Sequence, residues 1–277
     1  MKRTIALVVA AMGAAISMMP SLASAQSVAV SATRADEWQF GAFVYGYYPQ
    51  IGSKVTFPNG QSSDITVDAN DLVDNLKFAM LGSFEARKGD WGMFTDILYM
   101  DIGAFKSRFH NMTIGDVALP ADVSASANFD LKATVWTLAA TYRIVSAQDA
   151  ALDVFAGARL LDVKEELNWT LNGNIGQIPL PGRAGTQSAK NHFTDGIVGV
   201  KGRLAFGPDL KWFVPYYGDI GTGDSDLTWQ AMGGLGYAFS WGEVIGGWRY
   251  LDYQFKSDSS ADNLDLSGPM LGVAFRW

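Results

Sequence analysis

Apolar and polar positions alternate two by two along most of this chain. In "LTWQAMGGLGYAFSW", Leu227, Trp229, Ala231, Gly233, Leu235, Tyr237, Phe239 and Trp241 fall on one face. Thr228, Gln230, Met232, Gly234, Gly236, Ala238 and Ser240 fall on the other. A period of two predicts β-strand, because successive side chains point to opposite faces of a pleated chain. The chain ends in the same way: Leu271, Val273, Phe275 and Trp277 alternate with Met270, Gly272, Ala274 and Arg276.

Ten such segments are predicted: residues 38–48, 77–87, 91–101, 131–145, 152–164, 195–206, 212–221, 227–241, 244–255 and 266–277. Turn chemistry separates them, at Lys88-Gly89-Asp90, in "SAQDAA" and at Gly207-Pro208-Asp209. Tight connections alternate with mostly longer ones, so the strands run up and down with long loops gathered at one end. Residues around His110 and the stretch "NGNIGQIPLPGRAG" are read as two of those loops. Pro58-Asn59-Gly60 sits between two alternating runs in "KVTFPNGQSSDITV", and a hairpin there would leave eight or twelve strands open as counts. "DANDLVDNLK" (68–77) is the one helical suggestion, with Asp68 or Asn70 as cap and Leu72 and Leu76 four apart. It is read as either a lid over the loop end or a short turn.

Alternation alone fits a soluble barrel or sandwich as well as a membrane barrel. The less greasy face of 227–241 is small, with Gly, Ala and Ser where a solvated surface would carry Lys and Glu. In addition, Trp38, Tyr142, Trp212, Tyr237, Trp241 and Trp277 collect near strand ends, where amphipathic rings meet a lipid boundary. Together these predict an all-β, transmembrane, antiparallel up-and-down barrel of about ten strands, with short periplasmic turns and longer outer loops.

Composition narrows the setting. "MKRTIALVVAAMGAAISMMPSLASA" has a basic start, an apolar run and a small-x-small ending, so residues 1–25 are read as a secretory leader, 26–37 as a short periplasmic segment and 38–277 as the barrel. After it, no apolar run is long enough for a spanning helix. With 21 Lys+Arg against 28 Asp+Glu the chain carries a net charge of −7, which argues against nucleic acid as partner. There is no cysteine, so the fold is not held by disulfides.

Leader, alternating strands, and a last strand ending in alternate aromatics resemble the small outer-membrane β-barrel proteins of Gram-negative bacteria. "NLKFAMLGSFEARKGDWGMFTDILYMD" and "WFVPYYGDIGTGDSDLTWQAMGGLGYAF" are similar to stretches of proteobacterial members of that group. The resemblance spans the chain after its leader. It implies the outer membrane as location, with membrane lipid and lipopolysaccharide as surroundings. It also implies that Leu271, Val273, Phe275 and Trp277 address the chain to the machinery that inserts barrels.

Candidate chemistry is sparse. If Phe78, Met80 and Phe84 face lipid, and Val198, Val200, Leu204 and Phe206 likewise, then Glu85, Arg87, Lys201 and Arg203 point into the lumen beside Tyr45, Tyr47 and Tyr217. They would form either an ion-pair network or the lining of a narrow passive channel for small polar solutes. "AGARLLDVK" echoes "GGWRYLDYQ", with weaker copies in "DILYMDIG" and "VPYYGDIG". Their Asp101, Asp162, Asp219 and Asp252 are outer-rim candidates, either a carboxylate ring for divalent cations or solutes, or a duplicated hairpin motif.

No metal, cofactor or catalytic set is assigned. His110 and His192 are the two histidines, both placed in or beside outer loops, and Asp195 would face away from Ser188 and His192 on a strand. A channel, a structural or surface-interaction barrel with a plugged lumen, and a lipid-modifying enzyme all stay open, with the enzyme least supported. One expectation is specific to the chain end. A charged tail fused after Trp277 should lower membrane yield more than the same tail placed after Ala25, measured by fractionation, and equal yields would reduce Trp277 to packing.

Overall fold

In the computed structural model, residues 37–56, 62–108, 113–114, 117–118, 123–175, 178–179, 183–256 and 262–277 are described. Residues 1–36, which include the stretch read as a leader, and His110 lie outside them. β1 (Trp38–Tyr47), β2 (Gln50–Thr56) and β3 (Ser62–Val67) are followed by helix α1 (Ala69–Asp74). β4 (Leu76–Lys88), β5 (Trp91–Arg108), β6 (Val123–Ser146), β7 (Ala150–Ile175) and β8 (Arg183–Phe206) come next. β9 (Trp212–Gly223), β10 (Ser225–Ala238), β11 (Glu243–Phe255) and β12 (Asn263–Arg276) complete the chain.

Apart from β2 and β3, each strand pairs antiparallel with its successor, and β12 returns to β1, closing a ring of ten. The seam is a ladder from Gly41 opposite Arg276 to Tyr47 opposite Met270, and Trp277 extends it at the rim: Phe40 N–H donates to the Trp277 carbonyl at 2.8 Å and Trp277 N–H to the Phe40 carbonyl at 3.1 Å. A closed ring satisfies every backbone group of its wall and leaves no edge, the condition for crossing a bilayer with strands.

The runs on either side of Pro58, a residue outside the described ones, pair with one another as β2 and β3, yet the count stays at ten. Pro49 has no N–H to give the ladder, and the first strand breaks at Tyr48-Pro49. β2 then continues the wall above β1, pairing Ile51 with Leu266 and Lys54 with Asn263, and β3 folds back on β2 alone.

The outer loops are shorter than the pattern suggests. β5, β6, β7 and β8 run 18, 24, 26 and 24 residues, so most of the stretch read as loop between 164 and 195 is sheet. "NGNIGQIPLPGRAG" is strand through Ile175 and again from Arg183, and His192 lies inside β8. The period of two in fact runs on, Leu167, Trp169, Leu171 and Ile175 against Asn168, Thr170, Asn172 and Asn174, but the Asn, Gly and Pro that follow read as turn chemistry although the ladder continues.

At the opposite end the turns are tight. Gly89 and Gly207 sit at φ 60° and 86°, where a side chain would be strained. Around that rim aromatic rings pack outward: Trp91 on Tyr142 at 4.9 Å, Trp212 on Tyr237 at 4.8 Å, Trp241 on Phe275 at 6.1 Å, and Phe40 between Trp38 and Trp277, both at 6.1 Å. A second group, including Trp229 on Tyr250 at 4.7 Å and Phe78 on Tyr99 at 5.9 Å, lies farther up the wall. Between them Met80, Val198, Val200, Leu204 and Leu271 are exposed. Two aromatic girdles around an apolar belt fit a bilayer rather than water.

That belt makes a sharp prediction. Val200→Arg should destabilise the barrel refolded in phospholipid vesicles by about 2–4 kcal/mol, and Gln254→Arg, higher on the outer face, by at most about 1 kcal/mol. Equal guanidinium midpoints for the two variants would show that the outer face does not meet lipid.

Candidate functional site

Three strands that run away from the tight turns present the same inward order. β5 shows Phe94, Asp96, Leu98, Met100 and Ile102; β7 shows Asp153, Phe155, Arg159, Leu161 and Val163; β11 shows Glu243, Ile245, Arg249, Leu251 and Tyr253. Allowing for gaps, the interior is therefore layered: charge near the turns, an apolar layer, a second charged layer, and an apolar top.

In the lowest layer, Glu85 accepts from Lys201 at 2.6 Å and from Arg87 at 3.1 Å. Arg87 also donates to Asp153 at 2.6 Å, and Arg143 grips the same carboxylate at 2.7 and 3.1 Å. Arg203 reaches Glu243 at 2.5 Å, with Arg276 at 3.4 Å from the same group. Thus Glu85, Arg87 and Lys201 share one network and Arg203 belongs to another. Their cations also cover apolar rings, Lys201 over Phe94 at 4.5 Å and Arg203 over Phe213 at 3.9 Å. Gly236 leaves room for that Phe213 ring, which a Cβ would strike.

Phe94, Phe155 and Tyr217 fill the next level, with Phe94 edge-on to Phe155 at 5.1 Å and Phe155 stacked on Tyr217 at 5.2 Å. Above them Arg249 donates to Asp96 at 2.8 Å, to Gln230 at 2.9 Å and to the Tyr45 hydroxyl at 2.5 Å, while Tyr45 donates to Asp96 at 2.9 Å. Arg159, fully buried, pairs with Asp219 and donates to Thr228 at 3.2 Å and Thr137 at 3.4 Å. Lys201 with Glu85, and Arg249 with Asp96, each join strands four places apart around a ring of ten. Such pairs cross the lumen.

The top is apolar. Leu98, Met100, Ile102, Leu161, Leu251 and Tyr253 form one buried cluster, and Leu72 of α1 sits in it, 1% exposed. Val73 and Leu76 pack against it, and the Tyr48 hydroxyl donates to Asn70 at 2.6 Å. The helix suggested at 68–77 is thus a six-residue turn and a half that seats one leucine in the outer end of the lumen.

The four outer-rim carboxylates do not form a ring. Asp219 lies inside the barrel with Arg159. Asp101 and Asp162 are on the outer face, paired with Lys132 at 2.8 Å and with His192 at 2.9 Å. Asp252 is also on the outer side, opposite Asp265 and within 3.4 Å of the Tyr250 hydroxyl. The pairing of β7 and β8 is regular from Arg159 through Asp162, so no bulge brings Arg159 and Asp162 to one face. In "VPYYGDIG" the Asp falls on the inner parity, so this copy of the echo is out of phase with the other three.

The histidine candidates separate as well. His192 is outward and exposed, whereas Asp195 is buried inside, accepting from Ser225 N–H at 2.8 Å and its hydroxyl at 2.9 Å. Among the described residues no cluster of three His, Cys, Asp or Glu could hold a metal ion.

With the interior described, likeness to known proteins can be weighed. The solved structure of the outer membrane protease OmpT from Escherichia coli superposes over 90% of this chain and 99% of its own, with a TM-score of 0.52 and 8% identity. Its fold is that of the outer-membrane β-barrels. Ail of Yersinia pestis (TM-score 0.32, 12% identity, 87% of this chain and 99% of that one) and the NalP translocator domain of Neisseria meningitidis (0.42, 13%, 90% and 91%) are weaker likenesses. No protein-family model matches the chain, and no curated protein matches it in sequence. At 8% identity the chain shares a fold with OmpT and nothing finer.

The cross-lumen pairs were only partly legible. Glu85 and Lys201 follow from the phase of their lipid-facing neighbours. Asp153 was missed because its flanking residues are apolar on both faces, Asp96 because Phe94, Ile97 and Leu98 around it blur the phase, and Glu243 because it lies one residue before the segment read as strand.

The buried pair of Arg159 and Asp219 should behave asymmetrically. Asp219→Ala, which strands a buried cation, should cost about 3–5 kcal/mol of unfolding free energy, whereas Arg159→Met with Asp219→Leu should cost clearly less. A double variant as unstable as the single one would count against an interior held by paired charge.

Proposed function

We propose that this chain is an integral outer-membrane barrel with a closed lumen, acting through its wall and outer surface rather than as an open pore. The observation that carries this reading is the pair of bridges that span the interior, Lys201 to Glu85 and Arg249 to Asp96. A ring of about ten strands is narrow enough for side chains to fill. Here layers of paired charge, aromatic rings and the Leu72 cap succeed one another along its axis. These interactions support a plugged barrel over a passive channel for small polar solutes. Its surroundings would be membrane lipid and lipopolysaccharide, with Leu271, Val273, Phe275 and Trp277 presented to the insertion machinery from the last strand.

No enzymatic role is assigned. His192 and Asp195 lie on opposite sides of the wall, and a nucleophile needs its base and orienting group within hydrogen-bond reach. OmpT is a protease by name, but 8% identity brings none of its chemistry here.

Planar-bilayer recording of the refolded protein tests the closed lumen. The wild type should show no steady unitary conductance, and deletion of residues 69–74 should leave it silent, because the charged and aromatic layers beneath α1 remain. Ohmic openings in the wild type would overturn the plugged reading and favour the channel.

A further inference from the structure

The wall is not laddered to the same height all the way round. Between β1 and β4 the pairing runs from Trp38 opposite Lys88 to Val44 opposite Gly82 and stops there, although β1 continues to Tyr47 and β4 begins at Leu76. Beyond Val44, β1 stays with β12 as far as Tyr47 opposite Met270, and β4 stays with β5 as far as Leu76 opposite Ile102. The ring, complete nearer the tight turns, is thus slit between residues 45–47 and 76–81. Tyr47 leans away from the slit: its hydroxyl donates to the Arg249 and Leu266 carbonyls, both at 3.1 Å, on the side opposite β4.

Helix α1 bridges the top. It carries the chain from β3, which ends at Val67 opposite Ile51, to the start of β4. The Tyr48 hydroxyl holds Asn70 on one side, and Gly103 N–H of β5 donates to the Asn75 carbonyl at 2.7 Å on the other.

The height of the slit follows from strand geometry. Gly82 is six residues from Lys88, which pairs with Trp91 of the tight-turn girdle. At about 3.3 Å per residue on a strand tilted by roughly 40°, the slit begins about 15 Å above that rim and runs toward the outer boundary of a belt about 25 Å tall. Phe78 and Met80 are exposed on its outer lip. On its inner side Ala79 and Leu81 pack against the buried cluster that holds Leu98, Met100, Leu251 and Tyr253. Apolar wall and apolar lumen therefore meet through the slit at the level of the outer leaflet's hydrocarbon. A strand edge without a ladder partner at this depth is tolerated only where protein covers it or it lines a cavity.

Two further observations point to a ligand. Tyr253 is fully buried in the cluster, and among the described residues its hydroxyl has no hydrogen-bond partner. A buried hydroxyl gives up its bonds to water, so a missing partner needs an explanation. The cover is also slight: among the described side chains of α1 only Leu72 is buried, and its branched alkyl group has the chemistry of a hydrocarbon chain end.

We propose that the outer part of the lumen binds one hydrocarbon chain bearing an uncharged oxygen, which enters sideways from the outer leaflet between β1 and β4 as α1 withdraws Leu72. The Tyr253 hydroxyl donates to the ligand's oxygen. A charged head would have to be stripped of water among these apolar residues, so the oxygen is uncharged. The layer of Arg249 and Asp96 beneath is the floor of the site. This proposal rests on the closed membrane barrel and deepens it, since a lumen closed to water along its axis is open from the side to a lipid-soluble molecule.

The test uses the full-length barrel in phosphatidylcholine vesicles with two photoreactive probes, a twelve-carbon alcohol carrying a diazirine and the matching alkane with the same diazirine. Adducts are mapped by peptide mass spectrometry, with the inward Met100 and Leu251 as the site and the outward Met80 as the lipid reference. In the wild type the alcohol should label the inward residues, relative to Met80, at least fivefold more than the alkane does. Tyr253→Phe should bring the alcohol down to the alkane's level, and Leu72→Ala should raise inward labelling by both probes. Ala79→Trp, which fills the slit from β4, should lower it at least fivefold with Met80 unchanged, and Ala79→Leu, a milder filling, should lower it in the same direction. Absence of inward adducts in the wild type, unchanged labelling in the folded Ala79 variants, or an alcohol preference that survives Tyr253→Phe would overturn the proposal. Heat-modifiable gel migration reports folding separately. A wild type labelled at Met80 alone defeats the lateral site and leaves the membrane barrel standing, whereas a folded wild type unlabelled even at Met80 defeats the membrane reading.

Discussion

Closing ten strands into a ring removes the sheet's edges but creates an inside that must be filled. Too narrow to be a generous aqueous pore, it is also lined by a wall whose outer face has claimed most of the large apolar residues. The chain meets this constraint with charge paired across the axis. Arg249 holds Asp96, Tyr45 and Gln230 from three other strands, and Lys201 holds Glu85 from four places round the ring. A buried charge pair is weak evidence of net stability, because desolvation offsets much of the attraction. What such pairs do well is punish mispairing. A strand slipped by one residue would turn Arg159 and Arg249 into the belt of Val198, Val200 and Leu204, and register is fixed accordingly.

The apolar and charged layers depend on each other. Lys201 and Arg203 lie over Phe94 and Phe213, so each cation is both neutralised and covered. At the outer end the solution changes: Leu98, Ile102, Leu251 and Tyr253 crowd together, and α1 supplies Leu72 to close them off. The helix is short for an independent element. It is held by what it buries and by the Tyr48 hydroxyl on Asn70.

Much of this architecture is legible in the sequence, and the parts that are not have identifiable causes. Alternation reports contrast between two faces. Where the outer face is greasy and the inner small, as from Leu227 to Ala238, the strand and its phase are plain. Where both faces are apolar, as around Asp153 in "LDVFAGARLL", the phase is hidden and the interior acid with it. From Leu167 to Ile175 the alternation is present, Leu167, Trp169, Leu171 and Ile175 against Asn168, Thr170, Asn172 and Asn174, but the Asn, Gly and Pro of the neighbouring stretch read as turn chemistry and hide the strand. The echo of "RLLD" and "RYLD" was visible as repetition, but its meaning was inverted: the repeated Arg builds the interior and the repeated Asp lies outside. Sequence also had no means to show that Asp219, the fourth echo, would be the partner of Arg159.

Because the chain has no cysteine, one introduced thiol can report whether water reaches the interior. Ala139, 3% exposed among Phe94, Phe155 and Ile197, is the place for it, with Ala147, exposed in a tight turn, as the water-accessible reference. In the membrane-embedded protein, Ala139→Cys should resist a small charged water-soluble thiol reagent until the barrel is unfolded. Rapid labelling of Ala139→Cys in the folded, inserted barrel would mean an open aqueous path and would contradict the closed lumen.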